Sequence, residues 1–354
     1  MKAQKDTATG KWKIQYYFTD WQGKRKKSTK RGFNTKHEAE EWLSKFLLMN
    51  QGDFNMKFED FLKLYYSDMK NRLRENTFRT KNYIIDIKIL PYFKNLQMAK
   101  IKPADIRIWQ DKLIQKGYSA TYLKTINNQL NAIFNYAVKY YDLKSNPCSK
   151  AGSMGKSNAG EMKFWTKQEF MKFVDYVMDK RHSYMAFMTL YWTGMRIGEL
   201  LALTPKDINF EKRTISISKS YQRINRRDVI TPPKTPRSKR IISIPKFLAL
   251  DLKDYIESIY GIEENDRLFP VTKYFMEHEM QRGIKASGVK RIRLHDLRHS
   301  HASLLIEMGF TPLAIAERLG HERIETTLNT YAHLYPNKQV QMADRLENEY
   351  KEGL

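Results

Sequence analysis

Between Pro147 and Lys163 the chain runs through a stretch rich in Ser, Gly and Lys that has no apolar periodicity. Long regions of regular hydrophobic spacing lie on both sides of it, so one continuous core is excluded and separate bodies are expected. The length of 354 residues agrees, because a single core of ordinary size rarely organises so many. The reading places a flexible basic linker at residues 149–163, with the main boundary there.

The first part of the chain changes character once more. Residues 11–18, Lys-Trp-Lys-Ile-Gln-Tyr-Tyr-Phe, mix alternation with β-branched and aromatic side chains, and a polar turn, Thr19 to Gly23, leads into the basic run Lys24 to Arg31. This predicts a hairpin. Thr35 is placed to cap a following helix, with Glu38, Glu40 and Glu41 near its positive end and Trp42, Phe46 and Leu47 facing a core. From Lys57 to about Asn146 the spacing is helical: Phe58, Phe61, Leu62 and Tyr65, then Leu123, Ile126, Leu130, Ile133, Phe134 and Ala137. Breaks at Pro91, Pro103 and Gly117 suggest about four helices. Beyond the linker, residues 166–203 read as helical, Arg213–Ser220, Val229–Ile230 and Arg240–Ile244 as short strands, and the chain from Phe247 onward as mostly helical. The fold class expected is mainly α with small antiparallel β elements, in a multidomain chain.

Lys and Arg total 63 against 39 Asp and Glu, a formal net charge of +24. Such an excess favours a polyanionic partner, nucleic acid foremost, without saying what is done to it. Cys148 is the only cysteine, which excludes intrachain disulfides and Cys-rich zinc sites and fits a reducing cytoplasm. The N-terminus lacks an apolar core of signal-peptide length, and no run approaches the roughly 18 to 20 apolar residues of a membrane span, so a soluble, intracellular protein without membrane contact is expected.

Four segments carry chemistry. In Thr193-Gly-Met-Arg196-Ile-Gly-Glu199-Leu200 one arginine falls within what reads as an apolar helix, with Leu190, Leu201 and Leu203 around it. A guanidinium there needs an anion: either Glu199 at i+3, or a phosphate gripped by Arg196 and positioned by Glu199. In Leu294-His295-Asp-Leu-Arg298-His299-Ser-His301, residues His295 and Arg298 share one helix face, while His299 and His301 are read as pointing elsewhere. Three histidines without cysteines or a second carboxylate-rich segment make a poor metal site; a proton-handling and phosphate-clamping pair is more economical. Thr311-Pro312 starts a short helix that Gly320 stops, His321 follows, and Tyr331 comes ten residues later on another helix. Alone, Tyr331 is one of 21 tyrosines and reads as an amphipathic core residue. Pro233-Lys234-Thr-Pro-Arg-Ser-Lys239-Arg240 joins two candidate strands; its cations suit backbone phosphate, and one lysine on a mobile hairpin can instead reach a reaction centre. Spacing does not choose which.

Together, Arg196 in its Thr-Gly-Met-Arg-Ile-Gly-Glu-Leu context, His295-Asp-Leu-Arg298-His, Leu-Gly-His321 and Tyr331-Ala-His333 resemble, in order and spacing, the signature of tyrosine recombinases, the integrases of phages and integrative conjugative elements. The resemblance extends over nearly the whole chain. It implies an arm-type DNA-binding domain of β-β-α form at 1–53, a helical core-binding, SAM-like domain at 54–148, and an α+β catalytic domain with a C-terminal tail at 164–354. It further implies that Arg196 and Arg298 clamp the scissile phosphate, that His295 is a general base or hydrogen-bond partner and His321, at a position often Trp in relatives, a further donor. Tyr331 would be the nucleophile and Lys234 the general acid, with Lys239 the weaker candidate for that role. Lys24, Arg25, Lys26, Lys27, Lys30 and Arg31 would meet arm-type DNA. The implied activity is integration and excision of a mobile element through a 3′-phosphotyrosyl intermediate and a Holliday junction, with no cofactor, neither metal nor ATP. Implied partners are double-stranded DNA at core and arm-type sites, a homotetramer, a host DNA-bending protein and an excision factor, in a bacterial nucleoid. The tail, with Met342, Ala343, Leu346 and Tyr350 at helical spacing, is read as docking on a neighbouring protomer or packing on its own domain.

Two other classes account for part of the same sequence. A helix-turn-helix regulator over Thr311 to His333, with Gly320 in the turn, explains the charge but not Arg196 or His295 and Arg298. A type IB topoisomerase uses the same nucleophile and clamps but has no need of arm-like and core-binding modules. A transposase with acidic metal ligands is disfavoured, since no carboxylate triad emerges.

Overall fold

The computed structural model describes residues 3–7, 9–19, 25–50, 56–157, 162–233 and 235–335, together with 343, 346–348 and 350. Lys24, Lys234 and most of the C-terminal tail, Met342 included, lie outside the described residues. The chain divides into two compact units, Met1–Gly160 and Glu161–Leu354.

The first unit opens with an antiparallel sheet of β1 (Gln4–Lys5), β2 (Trp12–Thr19) and β3 (Arg25–Phe33). Alternation along β2 sends Ile14 and Tyr16 inward while Gln15 and Tyr17 stay exposed. Helix α1 (Lys36–Asn50) begins as the sequence indicates: Thr35 Oγ1 accepts the Glu38 N–H at 3.1 Å, and Glu38 Oε2 accepts that of Asn34 at 2.9 Å. Its Trp42 and Phe46 rings pack on Tyr16, with centroids at 5.1 and 4.3 Å.

A second core in this unit is built by α2 (Phe58–Arg72), α3 (Glu75–Ile84), α4 (Leu90–Phe93), α5 (Pro103–Ile114) and α6 (Ala120–Tyr140). The residues expected on its inner faces, from Phe58, Phe61, Leu62 and Tyr65 to Leu123, Ile126, Leu130, Ile133, Phe134 and Ala137, are all buried. Pro91 has no N–H to give the turn before it, and the chain passes from α3 to α4 through a π turn, Ile85–Ile89. There the Lys88 carbonyl accepts the Trp109 indole N–H at 2.9 Å.

The stretch expected to be a flexible linker departs from expectation in its first half. Residues Pro147–Ala151 form a short helix, α7, with Pro147 in its first turn and Asn146 Oδ1 accepting the Cys148 N–H at 2.8 Å. Cys148, Ala151 and Met154 are buried in the helical core, and the Lys156 N–H is accepted by the Ala120 carbonyl at 3.1 Å. A turn of helix with three apolar side chains at 3-residue steps was hidden by the Ser, Gly and Lys between them.

The second unit begins with α8 (Lys167–Asp175) and α9 (Arg181–Thr193), a helix buried along most of its length. Chain polarity then reverses at Gly194, φ +65°, and the short α10 (Ile197–Leu200) follows. Arg196 is therefore not inside a helix, as its apolar neighbours suggest; it precedes α10 in extended backbone, φ −74° and ψ 149°. Strands β4 (Ile208–Asn209), β5 (Thr214–Ile217) and β8 (Arg240–Ser243) make one antiparallel sheet in the order β4-β5-β8. A separate hairpin, β6 (Ser220–Ile224) with β7 (Arg227–Thr231), was only half anticipated. Its two-residue turn uses Asn225 and Arg226 at φ 50° and 64°, a left-handed pair usually signalled by Gly. Helices α11 (Lys246–Glu257), α12 (Lys273–Ser287), α13 (Asp296–Glu307), α14 (Pro312–Leu319) and α15 (Ile324–Tyr331) complete the unit around a core that includes Trp165, Phe170, Phe173, Phe187 and Tyr191. No described helix is long and apolar enough to cross a membrane.

Candidate active site

The site forms where the loop after α9, the N-terminal part of α13, and the ends of α14 and α15 meet. Gly194 makes the approach possible. A Cβ there would lie 2.5 Å from His301 Cδ2 and 2.8 Å from Leu319 Cδ2, so any side chain would displace the buried His301 ring or the backbone beside it.

Arg298, on α13, is 3% exposed. Its Nη1 donates to the Gly194 carbonyl at 2.9 Å and its Nη2 to that of Leu319, and it forms no ion pair among the described residues. Burial and the neighbouring Arg196 charge pull its pKa well below the ordinary guanidinium value. Arg196 donates from Nη1 to Glu199 Oε1 at 2.8 Å while its backbone N–H reaches Oε2 at 2.9 Å, leaving its side chain 36% exposed. Its Nη2 makes only a long bond to the Gly320 carbonyl, 3.5 Å, so the pairing with Glu199 leaves a partly exposed cationic edge, and the two readings of this arginine are not exclusive.

Arg240, which sequence reasoning treated as one more of the cations suited to backbone phosphate, belongs to this cluster. From the start of β8, with its side chain 7% exposed, it pairs through Nη2 with Glu199 Oε2 at 3.0 Å and donates from Nε to the Arg318 carbonyl at 2.8 Å. Two guanidiniums, Arg196 and Arg240, therefore bond one carboxylate, and that of Arg298 lies within its electrostatic reach. Such an excess of charge, partly withdrawn from water, is matched when an anion of forked geometry enters.

His321 follows Gly320 as anticipated and is half-buried, with Nδ1 2.7 Å from Thr327 Oγ1. Burial, with Arg298, Arg196 and Arg240, drives its pKa down to about 3, so it is neutral at physiological pH. His295 immediately precedes α13 and keeps an exposed surface; burial of the rest and then Arg298 hold its pKa below the usual imidazole value. Tyr331 is the last residue of α15 and 1% exposed, packed with Ala302, Ile306, Ile315 and Leu319. Burial pushes its phenol up to about 12, against the pull of Arg298.

His299 corrects the sequence reading. Instead of pointing elsewhere, its Nδ1 lies 2.7 Å from the Tyr331 hydroxyl. The signal was present: His299 is four residues after His295 and hence on the same face, and their rings meet edge to face with centroids 5.3 Å apart. His301 does turn away; it is buried, and its Nε2 accepts from Arg318 Nε at 2.9 Å. Among the described residues no three His, Cys, Asp or Glu side chains are grouped so as to hold a metal ion. Lys239 is exposed on the segment before β8. Of the basic run in the first unit, Lys26, Lys27, Lys30 and Arg31 are exposed on β3 but divide between its faces: Lys30 Nζ lies 5.7 Å over the Trp42 ring, and Arg31 Nε is 3.8 Å from Asp6.

Comparison with known proteins gives matches along the chain. Residues 163–338 match the phage integrase family, residues 57–114 the N-terminal SAM-like domain of phage integrases, and residues 3–48 an arm DNA-binding domain. The ICEBs1 integrase of Bacillus subtilis is 33% identical over 308 residues, 83% of each chain. The fold is similar to that of the Tn1549 transposon integrase in complex with a circular intermediate DNA, with a TM-score of 0.67 at 24% identity over 82% of this chain and 98% of that one. It is also similar to the lambda integrase tetramer bound to a Holliday junction, with a TM-score of 0.59 at 16% identity over 94% of both chains.

Proposed function

The chain belongs to the phage integrase family and is a tyrosine recombinase, a site-specific recombination enzyme, and from that premise we propose that Tyr331 opens a DNA phosphodiester held by Arg196 and Arg298. The observation that supports this most is the buried Arg298, which lies within electrostatic reach of the Tyr331 phenol and has only carbonyl partners. A phosphate in transfer gathers charge on its nonbridging oxygens, and fixed guanidiniums aimed at them favour the transition state over the ground state. Tyr331 Oη forms the new bond to phosphorus, the bond to the 5′ oxygen breaks, and the product is a 3′-phosphotyrosyl link with a free 5′ hydroxyl. His295 and His321 donate to the phosphate oxygens. The leaving oxygen takes its proton from Lys234 on the segment between β7 and β8, with Lys239 the alternative.

The stored bond lets a second DNA end reseal the strand without ATP or a metal. Repeated between two duplexes, the exchange passes through a Holliday junction and integrates or excises a mobile element, carried by four protomers on DNA. The matched arm domain supports arm-site binding, with Lys24, Arg25, Lys26, Lys27, Lys30 and Arg31 meeting phosphate; the domains we propose are 1–53, 54–148, whose core also takes in Ala151 and Met154, and 164–354. A host DNA-bending protein and an excision factor complete the assembly.

The test is incubation, in EDTA, with a labelled duplex spanning the end of the element and nicked beside the cleavage point. A denaturation-resistant protein–DNA adduct is expected with the native chain and none with Tyr331→Phe. An adduct with Tyr331→Phe, or bound DNA with no adduct from either protein, overturns the proposal.

A further inference from the structure

We infer that His299, and not His295, takes the proton from the Tyr331 hydroxyl during strand cleavage. The inference rests on Tyr331 being the nucleophile and adds the group that activates it. Among the described residues the hydroxyl has one hydrogen-bond partner, His299 Nδ1 at 2.7 Å. The rings meet at 63° with centroids 5.6 Å apart, a geometry in which the imidazole edge faces the phenol oxygen. His295 stands one ring further back, 5.3 Å from His299 between centroids, and shares no hydrogen bond with Tyr331.

The direction of the bond follows from protonation. Burial keeps the Tyr331 phenol protonated, so its hydrogen needs an acceptor. Burial, with His295 next, lowers the His299 pKa to about 4, so the ring is neutral and offers a lone pair. The charges facing it are Arg293, His295, Asp296 and Arg298 on its own helix and the turn before, with Tyr331 from α15. A phosphodiester anion seated on Arg298 cancels part of the positive field there and raises the affinity of His299 for a proton. Substrate binding thus switches on the acceptor beside the nucleophile.

The step balances. The proton of Tyr331 Oη passes to His299 Nδ1 as Oη bonds to phosphorus, the bond to the 5′ oxygen breaks, and that oxygen is protonated by the general acid. On resealing, the incoming 5′ hydroxyl gives its proton to the deprotonated general acid as its oxygen bonds to phosphorus, and the bond to Tyr331 Oη breaks; the phenolate recovers its proton from the His299 imidazolium. His299 therefore serves both half-reactions.

Adduct formation on the nicked duplex tests this with His299→Gln, which keeps an acceptor and most of the volume but cannot hold the proton. The expected result is a rate at neutral pH about a hundred-fold below that of the native chain. Placing a fluorinated, more acidic tyrosine at position 331 should then recover about tenfold in the His299→Gln background, while His295→Gln gains nothing from the same replacement. A His299→Gln rate equal to the native one, a deficit that the acidic phenol leaves unchanged, or recovery in His295→Gln instead, overturns the inference while Tyr331 stands as the nucleophile. An adduct with Tyr331→Phe overturns both.

Discussion

Glu199 and Arg240 form a buried ion pair, Oε2 to Nη2 at 3.0 Å, with side chains 4% and 7% exposed. The same carboxylate holds Arg196 through Oε1 at 2.8 Å. Glu199 thus ties the start of β8, which follows the segment bearing Lys234 in sequence, to Arg196, the proposed phosphate clamp. Burial pushes its pKa up, but Arg240 and Arg196 outweigh burial and the net shift is downward. Removing one member of such a pair strands the other charge, at a cost of roughly 3–5 kcal/mol. Glu199→Ala is predicted to lower the unfolding free energy by about that amount, read from the urea midpoint of the full chain. A loss below about 1 kcal/mol, the range of an exposed pair, would show that the carboxylate does not organise the cluster.

Gly320 gives a second check on the same cluster. It sits at φ +66°, and a Cβ there would lie 3.0 Å from both Cδ and Nη1 of Arg240 and 3.2 Å from the Arg237 carbonyl. Gly320→Ala pays the left-handed strain of about 1–2 kcal/mol and displaces Arg240, and with it the turn that carries His321. Adduct formation is predicted to fall at least about tenfold while the chain still unfolds cooperatively, since small misplacements near a reacting centre are costly in rate. Full activity in a folded Gly320→Ala chain would detach this turn from the chemistry.

Three of the four motifs were legible because each pairs a special residue with the device that positions it: Arg196 with Gly194 and Glu199, Arg298 one turn from His295, His321 after a helix-stopping Gly320. What was hidden depends on contacts between segments distant in sequence. Arg240 reads as one more cation for backbone phosphate until β8 places it against Glu199, 41 residues away. The partnership of His299 with Tyr331 crosses 32 residues and exists only because α15 folds back on α13. Arg196 looked helical since its neighbours are apolar, yet Leu190 belongs to α9, which ends at the left-handed Gly194, while Leu201 and Leu203 come after the short α10. The Asn225-Arg226 turn escaped for a local reason: Arg at φ 64° is not a turn signal.

Arg298→Lys separates binding from chemistry. A lysine ammonium is compact and cannot span the Gly194 and Leu319 carbonyls while presenting a planar fork to phosphate. The adduct rate is predicted to drop by about 10²–10³, the effect of losing one oriented donor at a transition state. Affinity for the duplex, which sums many backbone contacts, should change far less. Gel-shift titration beside adduct kinetics decides it: an equal fall in affinity and rate would mean that Arg298 serves binding alone.

The histidines predict how stability depends on pH. His301 is buried and its pKa is lowered to about 3, chiefly by burial and then by Arg318; His321 and His299 are held at about 3 and about 4. In the unfolded chain each returns to about 6.5. Below that value the unfolded state binds protons that the native state refuses, so unfolding becomes easier as pH falls. The loss begins near pH 6.5 and continues to about pH 4 for His299 and about pH 3 for His301 and His321, at up to roughly 1.4 kcal/mol per pH unit for each histidine that stays neutral in the native state. Glu199 adds to it below about pH 4.3, where the unfolded carboxylate protonates first. Urea midpoints measured from pH 7.5 to 5 should therefore fall steeply in the native chain and less steeply in His299→Gln, which lacks one of the three groups. Equal slopes in the two proteins would show that His299 is protonated in the native state already, and would remove its lone pair from the account of Tyr331.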